Sequence, residues 1–125
     1  MYTIDQVEEL LNQIAEDLPD DFFKHLNGGV ILLSQTKSHP QSQGDLWVLG
    51  EYNNRLDMGR YICIYYGSFM RLFANAPEDV LREKLRETLL HEFTHHLESL
   101  AGERGLEIKD QNRINEYRVI HRSGG

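Results

Sequence analysis

Leu81, Leu85, Leu89, Phe93 and Leu97 recur every fourth residue through a stretch, from Glu78 to Ala101, that contains neither proline nor glycine. Val80 and Leu100 extend the same apolar side, while Glu83, Glu87, His91 and His95 fill the intervening positions with polar groups. A strand would need apolar residues at every second position, so the pattern specifies one long amphipathic helix. Asn75 or Ala76 is expected to cap it, with Pro77 near its first position and Glu78 and Asp79 in the first turn, where carboxylates suit the helix dipole. Gly102 and Gly105 are expected to break it.

The rest of the chain supplies what this helix needs to pack against. Thr3 and Gln6 have the spacing of a capping box, and Ile4, Val7, Leu10, Leu11, Ile14 and Leu18 follow at helical intervals until Pro19. "PDDFFKHL" suits a short helical turn closed at Gly28-Gly29. Three runs then read as strands, "GVILLSQ", "DLWVLGEY" and "RYICIYYG", separated by polar loops and expected to pair as a small antiparallel meander. "SFMRLF" fits either a strand extension or a helical turn. A final helix is expected from Asp110, with Ile114, Tyr117 and Ile120 inward. The elements describe a single α+β domain: an N-terminal helix, a small three-stranded, mostly antiparallel sheet, the long helix and a C-terminal helix.

Composition narrows the function. The 125 residues are 40% hydrophobic and 26% charged, a globular balance. The formal net charge of -7 supplies no basic face for phosphate, which argues against a nucleic-acid partner. The N-terminus is acidic and lacks an apolar stretch of signal-peptide type. No run approaches the length that spans a bilayer. A soluble, cytoplasmic protein with no membrane partner is expected, with the oligomeric state left open. Cys63 is the one cysteine, so neither an internal disulfide nor a thiolate metal cluster is available, and it reads as a small buried hydrophobe.

The chemistry is concentrated in "LLHEFTHHLE". Residues four apart on a helix are separated by about 40° around the axis and about 6 Å along it, so His91 and His95 aim at a common point. Glu92 is rotated about 100° from His91, within reach of a metal-bound water without being a strong ligand. Two imidazoles and a carboxylate base in this arrangement suit a zinc-dependent hydrolase. His96 points about 100° away from His95 and is expected to pack or to support the site from behind.

A catalytic zinc held by protein usually has three protein ligands. Glu98 lies about 10 Å along the axis from His91, an awkward reach that suits a salt bridge or solvated carboxylate better. Glu107 and Asp110 lie beyond the glycine break, where the chain can return to the metal. Asp110 is also the natural N-cap of the last helix, a role compatible with ligation. Side-chain chemistry prefers this pair to Glu98 without separating its members.

Much of the chain, most of residues 7 to 118, resembles the small zincin-like metallopeptidases of bacteria. The resemblance rests on "LPDDFFKHL", "VLGEYNNR", "RYICIYYGSF" and, most specifically, "LLHEFTHHLE". It implies a minimal zincin-like domain, a Zn2+ cofactor held by His91 and His95, and Glu92 as catalytic base. Many such proteins continue as HExxHHFGxxD, with the aspartate as third ligand. Here Glu98 stands in the place of the glycine and Ala101 in that of the aspartate. With "SLAGERGLEIK" read as an insertion, Asp110 becomes the counterpart and Glu107 the runner-up.

These readings converge on a zinc metallopeptidase acting on a peptide or protein substrate, with Arg60–Gly67 as an edge for an extended peptide. Tyr65, Tyr66 and Tyr117 are candidate oxyanion donors, although buried aromatics are the more common role, and none is assigned. The alternative is a zinc-stabilised interaction module with weak or no turnover. A third reading is a metal-free helical scaffold in which His91 and His95 merely pack.

Overall fold

A computed structural model describes residues 1–40 and 46–104, the last two of them for backbone alone. Helix α1 spans Ile4–Asp17, followed by a 3-10 turn at Asp20–Phe23. Strands β1 (Gly29–Leu33), β2 (Gly50–Arg55) and β3 (Gly59–Tyr65) come next, then helices α2 (Tyr66–Phe73) and α3 (Glu78–Arg104). The predicted helix from Asp110 lies outside the described residues. No described helix is long and apolar enough to cross a membrane.

The capping box closes as the sequence implies. The Thr3 side chain accepts from the Gln6 amide at 3.1 Å, and the Gln6 side chain accepts from the Thr3 amide at 2.8 Å. Two otherwise orphaned donors are thereby satisfied at the start of α1. Its Val7, Leu10, Leu11 and Ile14 enter one buried cluster with Leu81, Leu85, Leu89, Phe93 and Leu97 of α3. Both helices therefore present their apolar stripes to a common core, completed by Ile62 and Ile64 of β3.

The sheet is mixed, with order β1-β3-β2, rather than the expected antiparallel meander. β2 and β3 form an antiparallel hairpin, and β1 pairs with β3 in parallel. The hairpin follows from its short turn: Gly59, at φ +72°, supplies the left-handed residue that closes a three-residue loop. The long connection from residue 34 to residue 49 allows the chain to pass β3's position, leaving that space for β3 to fill in between. β3 is consequently the central strand, and Tyr61, Ile62, Cys63, Ile64 and Tyr65 are all buried. It has no open edge. The edge expected at Arg60–Gly67 belongs instead to β1 and β2.

Of the two readings open for "SFMRLF", the helical one holds, since it lies within helix α2. Two further boundaries differ from expectation. At the start of α3, the Pro77 carbonyl accepts from Val80 and Leu81 at 3.1 and 3.0 Å, so Pro77 itself takes the cap position in place of Asn75 or Ala76. The helix also continues through Gly102 to Arg104; an exposed glycine weakens a helix without necessarily ending it.

Candidate metal centre

Helix α3 divides its four-residue ladder from its polar side at the motif. Leu89, Phe93 and Leu97 face the core, while His91 and His95 are exposed on the opposite side. Their Nε2 atoms lie 3.1 Å apart, with ring centroids 4.7 Å apart and the planes nearly perpendicular. Two nitrogens each about 2.0–2.1 Å from a tetrahedral zinc are separated by about 3.3 Å, so the pair fits two zinc ligands with little adjustment.

Glu98 Oε1 lies 3.8 Å from His95 Nδ1, on the side of the ring away from the Nε2 that approaches His91, too far for a hydrogen bond. Among the described residues no group of three metal-ligating side chains is assembled. Asp110 and Glu107 lie outside those residues.

Glu92 points inward beside this pair and is only 6% exposed. Burial, with a smaller contribution from the charge of Glu51, pushes its carboxyl up to about 7. Both effects disfavour the anion.

His96 is fully buried, in agreement with the packing alternative. Its Nε2 lies 2.7 Å from the Lys24 carbonyl, and its Nδ1 lies 2.9 Å from the Tyr52 hydroxyl. A carbonyl only accepts, so Nε2 carries the hydrogen and Nδ1 accepts from Tyr52. Burial also lowers the imidazole's pKa, favouring this neutral form. His96 thereby ties α3 to β2 on one side and to the turn after Phe23 on the other.

β2 forms the other wall. Gly50, Glu51 and Tyr52 face His91, Glu92, His95 and Glu98 across an open cleft of about 650 Å³. Close packing of the two walls depends on Gly50: a Cβ there would lie 2.9 Å from the Thr88 methyl on α3, one turn before the motif. Glu51 is held by the Lys37 ammonium at 2.5 Å and by the Tyr65 hydroxyl. Burial resists its ionisation, but the hydrogen bonds from Lys37 and Tyr65 outweigh it and hold the carboxyl below its ordinary value. Tyr65 is thus committed to Glu51, and Tyr66 donates to the Tyr2 carbonyl, so neither presents an oxyanion donor. Tyr117 lies outside the described residues.

Local sequence spacing does not reveal the β2 contribution. "VLGEY" carried a signal, a glycine followed by a carboxylate amid apolar residues, but nothing in the sequence aligned that stretch with the histidines.

A model of zincin-like metallopeptidases matches residues 30–113, taking in β1, the hairpin and the HEFTH helix. The chain belongs to the zincin-like metallopeptidase family. Among solved structures, this zincin-like chain is similar to a conserved hypothetical protein from Thermo thermophilus. The two share 36% identity over 81% of this chain and 99% of the other, with a TM-score of 0.70. No curated protein matches. The fold is that of a small zincin-like domain, with a three-stranded mixed sheet backing the HEFTH helix α3.

Proposed function

We propose that this zincin-like protein hydrolyses peptide bonds with a zinc ion held by His91 and His95 and with Glu92 as general base. The observation carrying this reading is the convergence of the two Nε2 atoms, 3.1 Å apart, beside a buried carboxylate in a cleft. Asp110 remains the proposed third ligand, with Glu107 as runner-up. When bound, zinc supplies Lewis acidity that activates water and polarises a carbonyl. Glu92, buried beside the two histidines, would accept the proton released from the water and later give it to the leaving amine.

The substrate proposed is a peptide or protein segment in extended form, placed along β2. Tyr65 N donates to Leu49 O at 2.9 Å, which sets the alternation of the β2–β3 hairpin. The backbone groups of Gly50, Tyr52 and Asn54 therefore face away from β3, toward the open edge. A peptide pairing there would pass alongside α3 with its carbonyls near the histidines.

The test is a zinc measurement on purified protein followed by cleavage of a mixed peptide library by wild type and Glu92→Gln. Stoichiometric zinc in both, with cleavage lost by about 10²-fold or more in the variant, is the expected result. Stoichiometric zinc without cleavage by wild type would instead assign the chain to a zinc-stabilised interaction module.

A further inference from the structure

We propose that Glu51 is a specificity residue that selects substrates carrying a lysine or arginine next to the bond placed at His91 and His95. The inference rests on the peptidase reading above and names its substrate class.

Strand alternation carries the argument first. Tyr52 packs into the core shared with α3 and bonds His96, so its neighbour Glu51 projects to the opposite sheet face, toward Tyr65 and Lys37. A peptide pairing with the open edge of β2 alternates in the same way. Its residue opposite Glu51 presents a side chain on Glu51's face, within the range of a cross-strand pair. Opposite charges are favoured in such pairs, and like charges directly opposite are disfavoured.

The state of the carboxylate comes next. Lys37 and Tyr65 both address Oε1, and an ionised carboxylate has about four acceptor positions, so capacity remains for a guanidinium or ammonium donor. Those two partners also fix its position before a ligand arrives, which reduces the ordering cost of binding. Finally, the described lining of the cleft holds no lysine or arginine, and Lys37, on the Glu51 face, is already paired with Glu51.

The experiment uses two sets of internally quenched octapeptides with arginine or its uncharged isostere citrulline at each position in turn. Zinc-loaded wild type is assayed for cleavage. Binding is measured in parallel by anisotropy of the same sequences, fluorescein-labelled, on zinc-loaded Glu92→Gln, where turnover does not interfere. At one position arginine should exceed citrulline by about fivefold in kcat/KM and in affinity. That ratio should fall toward one in Glu51→Gln, and in unaltered Glu51 protein as salt rises from about 50 to about 500 mM. The salt arm keeps the test decisive if Glu51→Gln does not fold. Equal arginine and citrulline values at every position, or a preference that survives in folded Glu51→Gln, would overturn the role of Glu51 while leaving the peptidase standing. Arginine-selective, Glu51-dependent binding without cleavage by wild type would sink the peptidase and leave a cation-selective cleft.

Discussion

His95 and His96 are adjacent in sequence, and about 100° of helical rotation separates their environments. His95 is exposed, with Glu98 behind Nδ1 and Nε2 turned toward His91. His96 is fully buried, and both its nitrogens are taken by Tyr52 and the Lys24 carbonyl. The difference shows how one residue type occupies two unlike environments on one helix. Where a ring nitrogen faces an open cleft beside a second imidazole, it suits a metal. Where both nitrogens already have partners in the core, histidine acts as a polar tie between elements.

Substitution of each histidine offers the sharpest way to break that comparison. His95→Ala should lose stoichiometric zinc while the zinc-free protein melts within a few degrees of wild type, as metal analysis and calorimetry would show. His96→Ala should have the reverse emphasis. It leaves the Tyr52 hydroxyl and the Lys24 carbonyl without their partner and opens a cavity, costing about 2–4 kcal/mol of folding stability. Equal losses of zinc and stability in the two variants would remove the distinction.

Gly50→Val probes the wall opposite the exposed histidines. Its new side chain would begin 2.9 Å from Thr88, so β2 and α3 must separate at the motif. A destabilisation of about 1–3 kcal/mol is expected in denaturant melts. Restoration by Thr88→Ser, which removes the facing methyl, would identify the clash as the cause.

Those tests also mark what was legible in the sequence. The capping box at Thr3, the 3-10 turn at Asp20–Phe23 and the helical placement of HEFTH all follow from local spacing, and each is present. The rotation separating His95 from His96 was likewise readable, because helix geometry is regular. The pairing of β1 with β3 was not. Two polar connections suggested sequential neighbours, whereas parallel pairing depends on where a 16-residue connection carries the chain. The same uncertainty concealed the edge position of β2 and, with it, the partnership of Glu51 with the cleft. Asp110 belongs to a third category: its assignment rests on an alignment across an insertion, beyond the described residues.

Glu51 and Cys63 provide smaller, pH-based tests of the β2 wall. The folded-state pKa of Glu51 is depressed, so its contribution to stability is fully present above the unfolded carboxylate value and is lost as pH falls through the folded one. The difference in melting temperature between wild type and Glu51→Gln should therefore shrink on acidification below about pH 4. A constant difference across that range would contradict the ion pair with Lys37. Cys63, on the strand beside Glu51, is buried, and burial pushes its thiol pKa up. Alkylation by iodoacetamide at about pH 8 should be slow in the folded protein and rapid after denaturation. Similar rates in both states would show that this face of the sheet is open.

The central claim is tested most directly by zinc-edge X-ray absorption on the zinc-loaded protein. The account predicts one zinc per chain with two imidazole nitrogens at about 2.0–2.1 Å in wild type, and loss of stoichiometric zinc in His91→Ala as in His95→Ala. Absence of stoichiometric zinc from wild type, or zinc retained with an unchanged spectrum when either His91 or His95 is replaced, would contradict it.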